Sequence, residues 1–306
     1  MSMLKLGVIG IGDIAQKAYL PLYAEREKIE FHFFTRSMTK RQEISEKYRF
    51  PYIHSSLDSL MESGVKGAFV HSATISHYSV IKQLLMQGIH VFVDKPITYE
   101  IETAKELSEL ARSKKLILMT GFNRRYAPSY QSLKDLKQPN MIIMQKNRKN
   151  LPADPRTFIF DDCIHVVDTI RYLFPYDIDE IIVHGKMKEK LLYHVTIQFL
   201  SKYGTAIGIM NRDSGTTDEK LEIMSTQEKR AVFDVSDVYI YQGSNVTRVK
   251  SSDWEPALHK RGFDQMVSDF IQAVKEQTKP MISIHDSLAT HEICEKIVES
   301  LLKKLC

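Results

Sequence analysis

The chain has 306 residues, which at ~150 residues per domain points to two domains, each long enough to bury its own core. Its 43% hydrophobic and 26% charged residues sit near the globular averages of ~45–50% and ~25%, which excludes a disordered chain. The 42 Lys and Arg against 38 Asp and Glu leave a net charge of +4, scattered along the chain, which excludes a dedicated nucleic-acid binder with one clustered basic face. The longest apolar runs, such as Gly88 to Val93, fall far short of the ~18 residues that span a bilayer. Met1–Gly10 runs straight into a glycine pattern and lacks the cleavage site of a secretory signal. Cys163, Cys294 and Cys306 are odd in number and too far apart for a zinc knuckle, which points to a reduced setting. The expectation is a soluble cytoplasmic protein with no metal, membrane or nucleic-acid partner.

Up to residue 122 two periodicities alternate. Strand-like runs occur at Leu4–Gly10, Ile29–Thr35, Gly67–Ala73, His90–Asp94 and Leu116–Phe122. Helix-like stretches lie between them, at Ile14–Glu25, Lys40–Tyr48, Leu57–Glu62, His77–Gln87 and Glu100–Ser113. In the last of these Ile101, Ala104, Leu107, Leu110 and Ala111 make one apolar face. Strands alternating with helices predict a doubly wound parallel sheet covered on both faces. After Phe122 the pattern changes. Asn123–Pro128 reads as a crossing loop, Met141–Arg148 as a strand and Phe160–Leu173 as a helix. Strands without intervening helices follow at Glu180–Lys186, Leu191–Leu200, Thr205–Arg212, Lys220–Ser225, Arg230–Asp234 and Val238–Gln242. These predict a large, mostly antiparallel sheet open on one face, and two helices close the chain at Gly262–Gln277 and Asp286–Leu305. The fold class is α/β, with residues 1–122 as a Rossmann domain and 123–306 as a second α/β domain.

The first strand runs into Gly10-Ile11-Gly12-Asp13-Ile14-Ala15, a G-x-G-x-x-A pattern. Gly10 permits the tight turn, Gly12 lets a pyrophosphate approach, and the N–H groups of the helix start at Asp13 and Ile14 face the phosphates. Its position between a first strand and a first helix favours dinucleotide binding over a plain glycine turn. An acid at the end of the second strand would select NAD, and this chain has Thr35-Arg36-Ser37 there, with Lys40 and Arg41 behind. A guanidinium and a hydroxyl suit the 2′-phosphate of NADP; the competing reading is a solvated loop arginine. The fifth strand ends in Asp94-Lys95-Pro96, where a lysine either points into the ligand crevice or serves solubility. In Asp161-Asp162-Cys163-Ile164-His165-Val166-Val167-Asp168 a helix would put Asp161, His165 and Asp168 on one stripe. That stripe reads as a general acid/base with orienting carboxylates, a partial metal site or a solvated face.

Taken together, Gly10-Ile11-Gly12, Ala73-Thr74-Ile75-Ser76-His77, Asp94-Lys95-Pro96, Gly121-Phe122-Asn123-Arg124-Arg125-Tyr126 and the Asp161…His165 pair resemble the Gfo/Idh/MocA oxidoreductases in order and spacing. That family includes glucose–fructose oxidoreductase and inositol dehydrogenase. The resemblance covers essentially the whole chain, and residues 158–173 look most like its virulence-factor MviM-like branch. It implies that Lys95 contacts the substrate hydroxyl and the nicotinamide ribose, that His165 is the general acid/base, and that Asp161 holds the substrate or orients His165. It also implies a cis bond before Pro96, and oligomers built through the second sheet, a homodimer or larger. Asp94 stands where the family usually has Glu, and Ala18-Tyr19 replace a histidine often found in the first helix.

Other residues read conservatively. Thr74 and Ser76 either cap the helix starting at His77 or, with His77, contact the cofactor. Arg124 and Arg125 read as bridges between the domains, Cys163 as a buried small residue, Asp168 as structural and Trp254 as packing. The expected function is hydride transfer between NADP, with NAD as the alternative, and a hydroxyl or carbonyl carbon of a sugar, sugar derivative or polyol. The rival readings are a non-catalytic regulatory protein that binds NADP and a ligand, and a metal-dependent hydrolase, which would leave the glycine pattern unexplained.

Overall fold

A computed structural model describes residues 3–303, and the chain divides into two units taken separately below. Cys306 and the end of the last helix expected from the sequence lie outside the described residues.

The first unit runs up to Gly121 and also includes Phe263–Ala289. Its six strands are β1 Leu4–Ile9, β2 Ile29–Phe34, β3 Tyr52–His54, β4 Gly67–Val70, β5 His90–Val93 and β6 Leu118–Thr120. All pair in parallel, in the order β3-β2-β1-β4-β5-β6, as a doubly wound sheet requires. Ile81, Leu84 and Leu85 of helix His77–Met86, with Ala104, Leu107 and Ala111 of helix Ile101–Ser113, bury against Val70, Val91 and Val93. Elsewhere Phe270 of helix Phe263–Glu276 stacks edge-on with Phe69, their centroids 4.9 Å apart. Gly67 permits that approach, since a Cβ there would lie 3.2 Å from Val274 and 3.3 Å from Phe270. A division at 122 puts this helix in the second domain. The packing places it in the first, because its apolar face completes the cover of the parallel sheet.

The second unit comprises Phe122–Gly262 and the chain from Thr290 onward. Its strands are β7 Met141–Lys149, β8 Glu180–Lys188, β9 Leu191–Ser201, β10 Gly204–Ser214, β11 Glu219–Met224, β12 Lys229–Phe233, β13 Asp237–Gln242 and β14 Asn245–Val249. They form one sheet in the order β14-β13-β12-β11-β7-β10-β9-β8, antiparallel except where β10 pairs with β7. In β10 buried and half-buried residues alternate, so one face is covered and the other is only half covered. Helix Ile164–Leu173 covers the buried face. Gly208 lets it close in, because a Cβ there would lie 2.8 Å from Val166.

Candidate active site

At the end of β1 the chain turns at Gly10 with φ +91°, and a Cβ there would lie 2.5 Å from the Ser72 nitrogen. Only glycine fits. The Gly10 N–H donates to the Phe34 carbonyl at 2.9 Å, tying the turn to the end of β2. A Cβ on Gly12 would meet nothing closer than the His71 carbonyl oxygen at 3.8 Å. Protein packing therefore does not require Gly12; its missing side chain leaves room above the turn for something else.

That room belongs to an open cleft of about 470 Å³, lined among others by Gly10, Gly12, Thr35, Arg36, Ser37, Lys40, Ser72 and Ser76. Lys40 Nζ donates to the Ile11 carbonyl at 2.9 Å, placing a positive charge beside the glycine turn. Arg36 and Ser37 are exposed at the rim. Ser37 also caps helix Met38–Tyr48, its Oγ accepting from the Lys40 N–H at 3.3 Å. No acidic side chain lines the cleft among the described residues. Open space over Gly12 and two cations beside it fit a dinucleotide.

Several expected cofactor residues lie off this lining. Asp13 is exposed and pairs with Lys17 at 2.8 Å, and the Ile14 side chain is exposed. Thr74 opens a 3₁₀ turn, and Ser76 makes no cap; its Oγ donates to the Ala73 carbonyl at 2.8 Å. His77 is 1% exposed, with Nδ1 2.9 Å from the Pro96 carbonyl oxygen and Nε2 2.9 Å from that of Ser72. Burial pushes its pKa below the usual histidine range, against carbonyl contacts that favour the charged form. It is a strut under the Lys95 turn, not a side chain facing the cleft.

Lys95 follows the end of β5, half-buried, and its bond to Pro96 is cis. The neighbouring Asp94 is wired to three aromatic rings. The Tyr19 hydroxyl donates to Oδ1 at 2.5 Å, His71 Nδ1 lies 2.8 Å from Oδ2, and the Tyr23 hydroxyl lies 2.8 Å from His71 Nε2. Burial would raise the Asp94 carboxyl, but His71 and the Tyr19 hydroxyl outweigh it and hold it below the usual carboxylate range. A π-turn at Ala15–Tyr19 widens the first helix where it delivers Tyr19. The replacement noted at Ala18-Tyr19 thus supplies the partner of Asp94. Sequence reasoning missed the roles of His71 and Tyr23; the Tyr-x-x-x-Tyr spacing on an otherwise apolar helix was the available signal.

In the second unit a π-turn at Ile159–Cys163 precedes helix Ile164–Leu173. The expected polar stripe divides along this helix. Asp161 and His165 are half-exposed, while Asp168 is 1% exposed. Asp168 accepts two hydrogen bonds from Arg125, at 2.9 and 2.6 Å, and one from Thr290 at 2.9 Å. Arg124 donates to both oxygens of Glu219, at 2.7 and 2.6 Å, inside this unit rather than as the expected bridge between domains. Cys163 is buried and its thiol is pushed up to about 12 by burial, so it is inert as a nucleophile. Trp254, expected to pack, is 94% exposed. No group of three His, Cys, Asp or Glu able to hold a metal occurs among the described residues.

Residues 4–122 match a family described as an oxidoreductase family with an NAD-binding Rossmann fold, and residues 128–243 match a YceM-like C-terminal domain. A Salmonella typhimurium protein named as oxidoreductase YceM is 31% identical to this chain over 98% of both lengths. A scyllo-inositol 2-dehydrogenase (NAD(+)) of Bacillus subtilis is 28% identical over 52% of this chain and 49% of its own. The solved dehydrogenase (MviM) of Clostridium difficile superposes with a TM-score of 0.93 at 35% identity, covering 97% of this chain and 99% of that one.

Proposed function

We propose that this chain, which belongs to the Gfo/Idh/MocA oxidoreductase family, is an NADP-dependent dehydrogenase or reductase acting on a CH–OH carbon of a sugar, sugar derivative or polyol. The observation that carries the cofactor choice is the lining of the cleft between β1 and β2, which offers Arg36 and Lys40 and no carboxylate. Gly10 and Gly12 shape the pyrophosphate turn, with the backbone N–H groups of Asp13 and Ile14 at the start of the following helix. Thr35, Arg36 and Ser37 take the 2′-phosphate. The inositol dehydrogenase among the relatives supports the substrate class.

When bound, the nicotinamide supplies a hydride acceptor or donor at C4. The chain supplies the rest. In the oxidative direction a ring nitrogen of His165 takes the hydroxyl proton, and Asp161 orients that imidazole or holds the substrate. Lys95 Nζ stabilises the substrate oxygen as charge develops on it. A positioned proton transfer of this kind contributes typically ~10²–10⁴-fold in rate. A cytoplasmic setting is part of this proposal, supported by the unpaired, buried Cys163 and Cys294; no described helix is long and apolar enough to cross a membrane. The half-covered face of the second sheet is the surface we assign to self-association, as a homodimer or larger homo-oligomer.

Nicotinamide-fluorescence titration tests the cofactor choice. One hydrogen bond to a charged group contributes ~1.5–3 kcal/mol net, and exposure at the rim pulls that toward the lower end. NADPH should therefore bind at least ~10-fold tighter than NADH at moderate salt. Arg36→Ala should erase most of that gap by weakening NADPH, with NADH hardly moved. Equal wild-type affinities, or a variant that keeps the full preference, would show Arg36 to be a surface arginine.

A further inference from the structure

The segment that carries Asp161 and His165 also carries Asp162, and that carboxylate is surrounded by more positive charge than it can neutralise. Lys146 Nζ donates to Oδ1 at 2.6 Å, Arg148 Nη2 to the same oxygen at 3.3 Å, and Arg148 Nε to Oδ2 at 3.4 Å. Arg212 Nε stands 3.7 Å from Oδ2. Lys146 and Arg148 are two residues apart on β7 and so share one face of the sheet; Arg212 is on the neighbouring β10.

Two of the nearby carboxylates, Glu219 and Asp168, are matched by cations of their own. Glu219 is taken by Arg124 and the Tyr130 hydroxyl, Asp168 by Arg125 and Thr290, and Asp218 accepts from Asn147. Around Asp162 itself three cations face one carboxylate, or two when Lys146 is neutral. Burial, reinforced by Arg124 and Arg148 against the pull of Asp162 and Glu219, pushes Lys146 down to about 7. Asp161, next in sequence, is half-exposed.

Arg212 adds an independent observation. Its side chain is 8% exposed and lies over the Phe158 ring at 5.3 Å, yet its buried Nε and Nη1 have no hydrogen-bond acceptor. Buried donors are ordinarily satisfied, and a guanidinium is a two-pronged donor matched to carboxylates and phosphates. Arg148, with a side chain 37% exposed, keeps part of the cluster open to solvent.

We infer that Arg148 and Arg212, with Lys146 behind them, form a subsite for an anionic substituent of the substrate, a carboxylate or a phosphate ester. The substrate is then a sugar acid or a sugar phosphate, not a neutral polyol. This rests on the dehydrogenase reading only in making the anion part of the substrate.

Calorimetric titration of the full chain, loaded with NADPH, with a hexose, its uronate and its 6-phosphate ester tests the inference. One of the two acids should bind at least ~10-fold tighter than the hexose, the preference shrinking with salt, and which acid wins identifies the anion. Arg148→Gln and Arg212→Gln should each remove most of that preference. Should Arg212→Gln not fold, the half-exposed Arg148→Gln still decides. Equal binding of all three sugars, no measurable binding of either acid, or a preference that survives in the folded variants overturns the subsite. Oxidation assays on the same probes separate the two claims. Anion binding with no hydride transfer from any probe keeps the subsite and overturns the dehydrogenase reading; oxidation of the hexose with no preference for either acid does the reverse.

Discussion

A Cβ on Gly10 would collide with the backbone of Ser72 at 2.5 Å, whereas one on Gly12 would meet a single carbonyl oxygen at 3.8 Å. The two glycines should therefore fail differently. Gly10→Ala combines that clash with a φ of +91° and should cost more than ~1 kcal/mol of stability. Gly12→Val should stay within about 1 kcal/mol of wild type while losing NADPH binding, because it fills room that the protein itself does not use. Urea unfolding and nicotinamide fluorescence on both variants check this. A Gly12→Val protein that binds NADPH normally would move the cofactor off this turn. The glycine turn after β1 and the turn at Lys95 after β5 were legible in the sequence because their meaning is local. The Tyr19–Asp94 and Tyr23–His71 contacts were not, since they join residues 75 and 48 apart and leave no local periodicity.

At the scale of elements, the helix around His165 was legible from its apolar spacing, but its π-turn was not. Nor was the division of its acids, with Asp161 half-exposed and Asp168 buried against Arg125 and Thr290. β3 and β14 also escaped the sequence reading: β3 is three residues long, and every residue of β14 is exposed, so neither shows a buried face. Helix Phe263–Glu276 was recognised, but its place in the first unit depends on Phe270 meeting Phe69, two hundred residues away in the chain. Asp168 now reads as the tie between helix Ile164–Leu173 and the turn at Asn123–Tyr126, through the doubly bonded Arg125. Removing one partner of a buried ion pair leaves an uncompensated charge and costs ~3–5 kcal/mol. Asp168→Ala should lose stability on that scale in urea unfolding. A loss under ~1 kcal/mol would show that Arg125 finds an equivalent partner.

For the whole molecule, acid is the condition that removes these ties together. The carboxyls of Asp94, Asp162 and Glu219 are all held below their usual range: burial opposes this in each case, but facing His71, Lys146 and Arg124 respectively overcome it. Folded pKa values below the unfolded ones mean that the stability they contribute is present above roughly pH 4 to 5. It is lost as pH falls through the folded values. The urea midpoint should therefore decline gradually below about pH 6.5, where burial holds His77 neutral, and fall steeply below about pH 4. A midpoint unchanged well below pH 4 would show that these carboxylates are not coupled to folding. The central claim is that the chain moves a hydride to a bound nicotinamide with Lys95 and His165 as its chemical groups. The measurement that tests it most directly is NADP reduction by a panel of polyols, sugars, sugar acids and sugar phosphates, followed at the near-ultraviolet band of reduced nicotinamide in wild type, Lys95→Ala and His165→Ala. The account predicts turnover by the wild type and a fall of at least ~10²-fold in kcat/KM in each variant, with NADPH affinity nearly unchanged and the double variant far less impaired than the product of the singles. A wild-type protein that binds NADPH tightly and reduces NADP with no member of the panel, or variants that turn over like wild type, would contradict it.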